Sequence, residues 1–311
     1  MPLPAATAVG ITPDTREVLR RLELDVSRRL DGLLQGDHRG LVPGHGTELG
    51  ETRRYAPGDD VRRIDWNVTA RLPEPHIRQT IAERELRTWL VIDRSPRLAF
   101  GTALAEKRSL VLAAAAAVGF LTQRDGNLIG AVYAGPGAPT VVPPKGSRRH
   151  FLRILHDVAE HRGDDGSGVT DLRPALARVS SGGSRRGLVV VISDFLVASG
   201  WENDIRVAGR RHDVLAIQVT DPRDFELPDV GMVVLRDPAT GAGREVATHR
   251  RQVRERFAAA ARARQEQLEA TFRLARVDHL VLSTGRPWLD DVVRFIAGRR
   301  HRLRILAGRP A

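Results

Sequence analysis

From residue 86 onward, short uninterrupted apolar runs alternate with segments of helical period, and that alternation restricts the possible folds more than any other feature of the chain. Residues 86–93, 127–133, 187–192, 214–220 and 279–282 are too short for buried helices and rich in Val, Ile and Leu. They lack the polar-every-second-residue pattern of a sheet with one wet face, so both faces of each strand must be covered. Helices are predicted over 103–123, 147–160, 171–179, 201–209, about 250–274, and 287–299. Thr140 to Val142 adds a short strand, and 231–235 another within an insertion near 222–248. Strand, helix, strand in repetition predicts an α/β protein with a doubly wound, mostly parallel sheet of the Rossmann type over 86–305.

Residues 1–85 make a small N-terminal appendage. Thr12-Pro13 is a start signal for a helix over 11–35, and a strand is predicted at 76–82. Between them, 44–71 is dense in side chains that need partners: Arg53, Arg54, Asp59, Asp60, Arg62, Arg63, Asp65 and Arg71, interleaved with Tyr55, Ile64 and Trp66. The charges interrupt both the two-residue and the 3.6-residue period, so an ordinary strand or helix is disfavoured. The expectation is a compact motif with a Pro57-Gly58 turn and ion pairs around a Trp66 anchor, which on chemistry alone reads as a salt-bridged surface loop.

The order of residues in that block, carried by Arg53, Tyr55, Gly58, Asp59, Asp60, Arg62, Ile64, Asp65, Trp66, Thr69, Ala70 and Arg71, resembles the hallmark of the domain of unknown function 58 family. The likeness continues through Glu83 and Arg84, then Ile192-Ser193-Asp194-Phe195, and the layout of 219–297. The resemblance implies a von Willebrand factor type A-like domain, of the kind encoded beside MoxR-type AAA+ ATPases. It implies a protein-interaction or adaptor role, with such an ATPase or its client as partner.

In a doubly wound sheet, ligands sit beyond the carboxyl ends of the strands at the topological switch point. Asp93-Arg94-Ser95-Pro96-Arg97 ends the first strand there, Ser193-Asp194 ends the fourth, and Thr170 lies in a loop before a helix. Asp93, Ser95, Thr170 and Asp194 resemble the metal-ion-dependent adhesion site of type A domains. Hydroxyls and carboxylates of this kind suit Mg²⁺, a hard cation that takes six oxygens and keeps several waters. The resemblance places a Ser where this chain has Arg97, behind Pro96, making the site a degenerate one. A guanidinium within about 4 Å of a divalent ion costs several kcal/mol even at an effective dielectric near 20. Either Arg97 turns outward and a weakened site persists, or its guanidinium neutralises Asp93 and Asp194 in place of the metal.

Charge offers an alternative: a net +11 and a pI of about 11.2 suit a nucleic-acid- or polyanion-binding protein. Against it, Lys107 and Lys145 are the only lysines, the arginines are dispersed among acids, and aromatics are only 5%, too few for base-stacking platforms. The basic run Arg299, Arg300, His301, Arg302, Arg304 is the one local candidate. A metal-dependent hydrolase using Asp93 and Asp194 ranks lower, because no activating base, P-loop, His-Glu-x-x-His or Gly-x-Ser-x-Gly pattern accompanies them. His38, His45, His76, His150, His156, His161 and His301 are scattered, and Asp59–Asp60 are read as structural acids among arginines. There is no cysteine, hence no thiolate or disulfide chemistry. The longest apolar run, 110–121, is too short for a span of about 18–20 residues, and the N-terminus lacks a signal-peptide pattern. A cytoplasmic, non-catalytic protein is expected, reaching a membrane face only through partners.

Overall fold

The computed structural model describes residues 86–307 apart from 124–126, 162–167, 182–185 and 239, with parts of 17–28 and 52–78 ahead of them. The N-terminal part contributes a ribbon of β1 (Thr52–Arg54) and β2 (His76–Arg78). The main sheet is built from β3 (Arg87–Asp93), β4 (Leu128–Ala134), β5 (Thr140–Lys145), β6 (Leu188–Ser193), β7 (Asp213–Thr220) and β10 (Asp278–Ser283). A separate hairpin joins β8 (Met232–Arg236) to β9 (Gly243–Ala247). Six helices accompany the strands: α1 (Lys107–Gln123), α2 (Arg148–Glu160), α3 (Arg173–Ser180), α4 (Trp201–Arg211), α5 (Arg251–Ala275) and α6 (Trp288–Ala307).

The sheet runs β10-β7-β6-β3-β4-β5, parallel throughout except for the β4–β5 pair. Its chain order reverses between β3 and β6, which makes the gap beyond their carboxyl ends the switch point. All of β6 is buried. Its residues divide by the two-residue period of a strand: Leu188, Val190 and Ile192 join the core under α1, α2 and α6, while Val189 and Val191 join the core under α3, α4 and α5. This is the α/β sheet covered on both faces that the apolar runs predict.

Small residues set the spacing of one layer. Ala113 to Ala117 in α1 are all buried, and Gly119 leaves room for the Phe151 ring of α2, which would occupy the place of any Cβ there. The Phe151 ring also meets Phe120 edge-on, with centroids 5.3 Å apart. The N-terminal segment packs onto the same layer: residues 20–26 are helical, Val26 is buried in that core, and Arg148 bonds Glu23 at 2.6 Å. Glu17 and Arg28 are helical as well; the rest of the helix expected over 11–35 lies outside the described residues, as do 79–82 of the expected strand at 76–82.

Several elements differ from expectation. Helix α1 begins at Lys107 rather than 103, because the backbone of 102–104 bonds elsewhere: Thr102 N donates to Asp221 and Leu104 N to the carbonyl of Thr284. Strand β5 is longer than 140–142, antiparallel, irregular in register and carries Pro143 and Pro144, which an edge strand tolerates. The 231–235 strand has a partner, β9, and α6 continues past 299 to Ala307.

Candidate functional site

The charged N-terminal motif is organised by backbone bonds. Residues 52–54 do form a strand, with Arg53 opposite Ile77, contrary to the disfavoured-strand expectation, because pairing with β2 supplies the bonds that side-chain pattern does not. Tyr55 N donates to the carbonyl of Pro75, and Arg54 pairs with Glu74 at 2.9 Å. Asp65 caps the helical turn Trp66–Thr69: its Oδ1 accepts from Val68 N at 3.3 Å. The Thr69 hydroxyl accepts from His76 N at 3.0 Å, tying the turn to β2. Arg71 N closes the turn on the Val68 carbonyl. Trp66 is 70% exposed, so it is not the anchor around which the motif packs; the capped turn and the ribbon do that work. Gly58, Asp59, Asp60, Arg62, Glu83 and Arg84, and with them the Pro57-Gly58 turn, lie outside the described residues.

The strand ends hold the more concentrated chemistry. Asp93 closes β3 and is buried; its Oδ1 accepts from Ser95 N at 2.7 Å and its Oδ2 from the Ser193 hydroxyl at 2.6 Å. Ser95 is buried as well, and its hydroxyl oxygen accepts from Arg97 N at 3.3 Å, capping a 3-10 turn at Pro96–Leu98. Thr170 is fully buried. Its carbonyl accepts from Ala198 N in the loop after β6, and the next residue, Asp171, donates from N to Gly135 O after β4, which carries the loop across the end of β3. The Thr170 hydroxyl oxygen has no partner. Burial pushes the Asp93 carboxyl up to about 7, the Asp194 charge adds to the rise, and Ser193, Ser95 and Arg97 oppose it.

Asp194 is not neutralised by Arg97. Its Oδ2 lies 3.1 Å from the ammonium of Lys107, at the first residue of α1, and its Oδ1 accepts from Leu196 N at 2.9 Å. Lys107 is itself buried, and it also bonds both oxygens of Asp224, at 3.3 and 3.2 Å. Asp224 Oδ2 accepts in turn from Asp221 N in a reciprocal cap of the turn Pro222–Asp224. Asp221 takes bonds from Thr102 N and the Thr102 and Thr284 hydroxyls at 2.8, 2.6 and 2.5 Å. Burial alone would raise the Asp221 carboxyl, yet those bonds hold it below the usual range. The loop before α1 and the ends of β6, β7 and β10 are thereby stitched together.

A divalent metal does not fit this arrangement. Among the described residues no group of three His, Cys, Asp or Glu converges as a ligand set. An ion on Asp194 Oδ2 would stand no more than about 5 Å from the Lys107 ammonium, given the 3.1 Å contact and an Mg–O distance of about 2.1 Å. At an effective dielectric near 20 that repulsion is about 7 kcal/mol. Arg97 adds a second positive charge beside Asp93. Arg97 is half-buried; its Nε and Nη2 make no hydrogen bond, while its charge lowers the Asp93 carboxyl.

Sequence reasoning brings Asp93, Ser95, Thr170 and Asp194 to one edge but misses Lys107, Thr102, Asp221, Asp224 and Thr284. The usable signal was composition: in a chain whose other basic residues are arginine, a lysine opening a helix needs a reason. A compact ammonium with three donors can sit between two buried carboxylates where a planar guanidinium cannot. Elsewhere, the basic C-terminal run proves partly structural, because Arg299 pairs with Asp278 at 3.0 Å. His212 is buried, and burial lowers its pKa.

Strand order, the single antiparallel edge strand and the polar cluster at the β3/β6 switch point define a doubly wound α/β domain with a mostly parallel six-stranded sheet. The chain belongs to the family described as protein of unknown function DUF58, which matches residues 51–267. It is 49% identical over 288 residues to the uncharacterized protein Rv1480 of Mycobacterium tuberculosis, covering 93% of this chain and 90% of that protein. It is 40% identical over 170 residues to the uncharacterized protein MAV169 of Mycobacterium avium, covering 55% of this chain and 99% of that one. Among solved structures, BatB from Bacteroides thetaiotaomicron aligns with a TM-score of 0.43 at 11% identity, over 70% of this chain and 99% of that chain. The SpRpn10 VWA domain aligns at 0.38 and 14%, over 68% and 94%. No helix among the described residues is long and apolar enough to cross a membrane.

Proposed function

We propose that the protein is a non-catalytic interaction module that docks a partner at the carboxyl edge of its sheet, the partner being a MoxR-type AAA+ ATPase or that ATPase's client. One observation carries the non-catalytic part. Every carboxylate oxygen of Asp93, Asp194, Asp221 and Asp224 already accepts a bond from the chain itself. Acids held in this way brace loops; a general acid or base needs a lone pair or proton directed at a substrate. The partner's identity rests on the family resemblance.

Co-purification tests the reading. The tagged full chain is expected to retain a MoxR-type ATPase of the same organism, equally with and without Mg²⁺ in the absence of nucleotide. Failure to retain it in either condition, at low and moderate salt, counts against the assignment.

A further inference from the structure

The hairpin β8–β9 lies between β7 and α5 in the chain and belongs to no larger sheet. Its base is firm. The Thr248 hydroxyl accepts from Val230 N and donates to Gly231 O, while Arg254 of α5 bonds Asp229 and the Thr248 carbonyl. The register sets Met232 opposite Ala247, Val234 opposite Glu245 and Arg236 opposite Gly243 on one face. Thr248 N donates to Gly231 O and Asp237 N to Ala242 O, so by the alternation of an antiparallel pair the odd-numbered residues of β8 bond to β9. Met232, Val234 and Arg236 therefore turn their N–H and C=O groups away from β9, to an edge that no strand covers among the described residues. The side chains there are in solvent too: Val230, Met232 and Val234 are 60%, 61% and 60% exposed.

Edges of this kind are ordinarily blunted by a proline, a lysine or an inward charge. Strand β9 is blunted, with Arg244 and Glu245 inside it, but β8 runs Met-Val-Val-Leu before its first charge at Arg236. An apolar edge with open backbone groups accepts an added strand, the backbone supplying affinity and alternate side chains specificity. Charge selects which strand. Arg236, Arg244 and Arg250 are exposed, and none pairs with a carboxylate among the described residues, so the hairpin is fringed by uncompensated positive charge. A second copy of the chain does not answer that charge. Antiparallel self-pairing centred on Val233, Val234 or Leu235 sets Arg236 against Val230, Met232 or Val234 of the copy, never against an acid.

We propose that β8 is a docking edge for an extended segment of a partner protein, which adds as a third strand, apolar opposite Met232 and Val234 and carrying an Asp or Glu opposite Arg236. This contact is independent of the strand-end cluster, so its test and the co-purification above can fail separately.

Fluorescence anisotropy on the full chain tests it with a labelled peptide, Glu-Thr-Val-Thr-Val-Thr-Val. Antiparallel pairing sets its Glu against Arg236 and its first two valines against Val234 and Met232. Saturable binding is expected below about 1 mM. A peptide with Lys in place of Glu should bind about threefold more weakly or worse, since like charges across paired strands repel. N-methylation of those two valines, whose N–H groups face β8, should abolish binding. Val234→Pro removes an outward N–H and no β8–β9 bond, so it should abolish binding while the melting temperature stays within about 2 °C of the parent. If that variant does not fold, Val234→Glu keeps the backbone, repels the peptide's acid and should weaken binding about threefold or more. No saturable binding of the acidic peptide, equal binding of the Lys or N-methylated peptide, or binding untouched by the Val234 variant would overturn the proposal. A dimer in sedimentation velocity that the Val234 variant dissolves would overturn it as well, by giving the edge to a second copy.

Discussion

Replacing Lys107 by Met removes one positive charge and little else, since the unbranched stem keeps most of its volume. The ammonium it deletes lies 3.1 Å from Asp194 and 3.2 Å from Asp224, whose side chains are 1% and 15% exposed. Both carboxylates are then left facing each other across a dry gap. Removing one partner of a buried ion pair costs about 3–5 kcal/mol, most of it the desolvation of the charge left behind. At roughly 2–4 °C per kcal/mol for a domain of this size, the melting temperature should fall by about 6–20 °C. Urea denaturation at neutral pH gives the same quantity from the shift in midpoint at constant slope. The matching control is Lys145→Met on exposed β5, which should stay within about 0.5 kcal/mol of the parent. Pairing Lys107→Met with Asp194→Asn should recover part of the loss, with a coupling of about 1–3 kcal/mol. A loss below about 1 kcal/mol for Lys107→Met, or strict additivity with Asp194→Asn, would refute the claim that this ammonium is the site's structural cation.

Two further outcomes follow from named contacts. Burial and the Asp194 charge raise the Asp93 carboxyl to about 7 from an unfolded value of 3.8, so the folded state holds the extra proton between those values. The stability contributed by that proton is full below about pH 4 and lost as pH rises through about 7. Asp93→Asn should therefore gain stability relative to the parent as pH climbs across that window. A parallel pair of denaturation-versus-pH curves would contradict it. In the core, Gly119→Ala places a methyl where the Phe151 ring sits and should cost about 1–3 kcal/mol through overpacking. An alanine variant that melts with the parent would show that α2 can shift freely.

What was legible in the chain depended on how local its cause was. The strands β3, β6 and β7 declare themselves because burial on both faces forces unbroken runs such as Leu188 to Ile192, and no solvent-facing residue dilutes them. Strand β9, Gly-Arg-Glu-Val-Ala, escaped notice because three of its five residues are exposed and only its pairing with β8 makes it a strand. The start of α1 was misplaced for a related reason. Residues 103–106 have helical composition, but Thr102 and Leu104 spend their amides on Asp221 and Thr284, which lie more than 100 residues later. Trp66 looked like an anchor by residue type; its position at the outer face of a capped turn leaves it in solvent.

Apolar periodicity and strand-end position, read within single segments, were enough to determine the α/β class and to bring Asp93, Ser95, Thr170 and Asp194 to one sheet edge, while the family showed in the residue order of 53–71, which resembles its hallmark. Only the tertiary structure decided what neutralises that edge. Arg97, four residues from Asp93, was the obvious cation by proximity in sequence, yet its Nε and Nη2 make no hydrogen bond to a carboxylate. Lys107 reaches Asp194 and Asp224 from the opening residue of α1, across 87 and 117 positions of chain. Electrostatic pairing depends on distance in space, and in a doubly wound sheet residues that share a strand-end layer can be far apart in sequence.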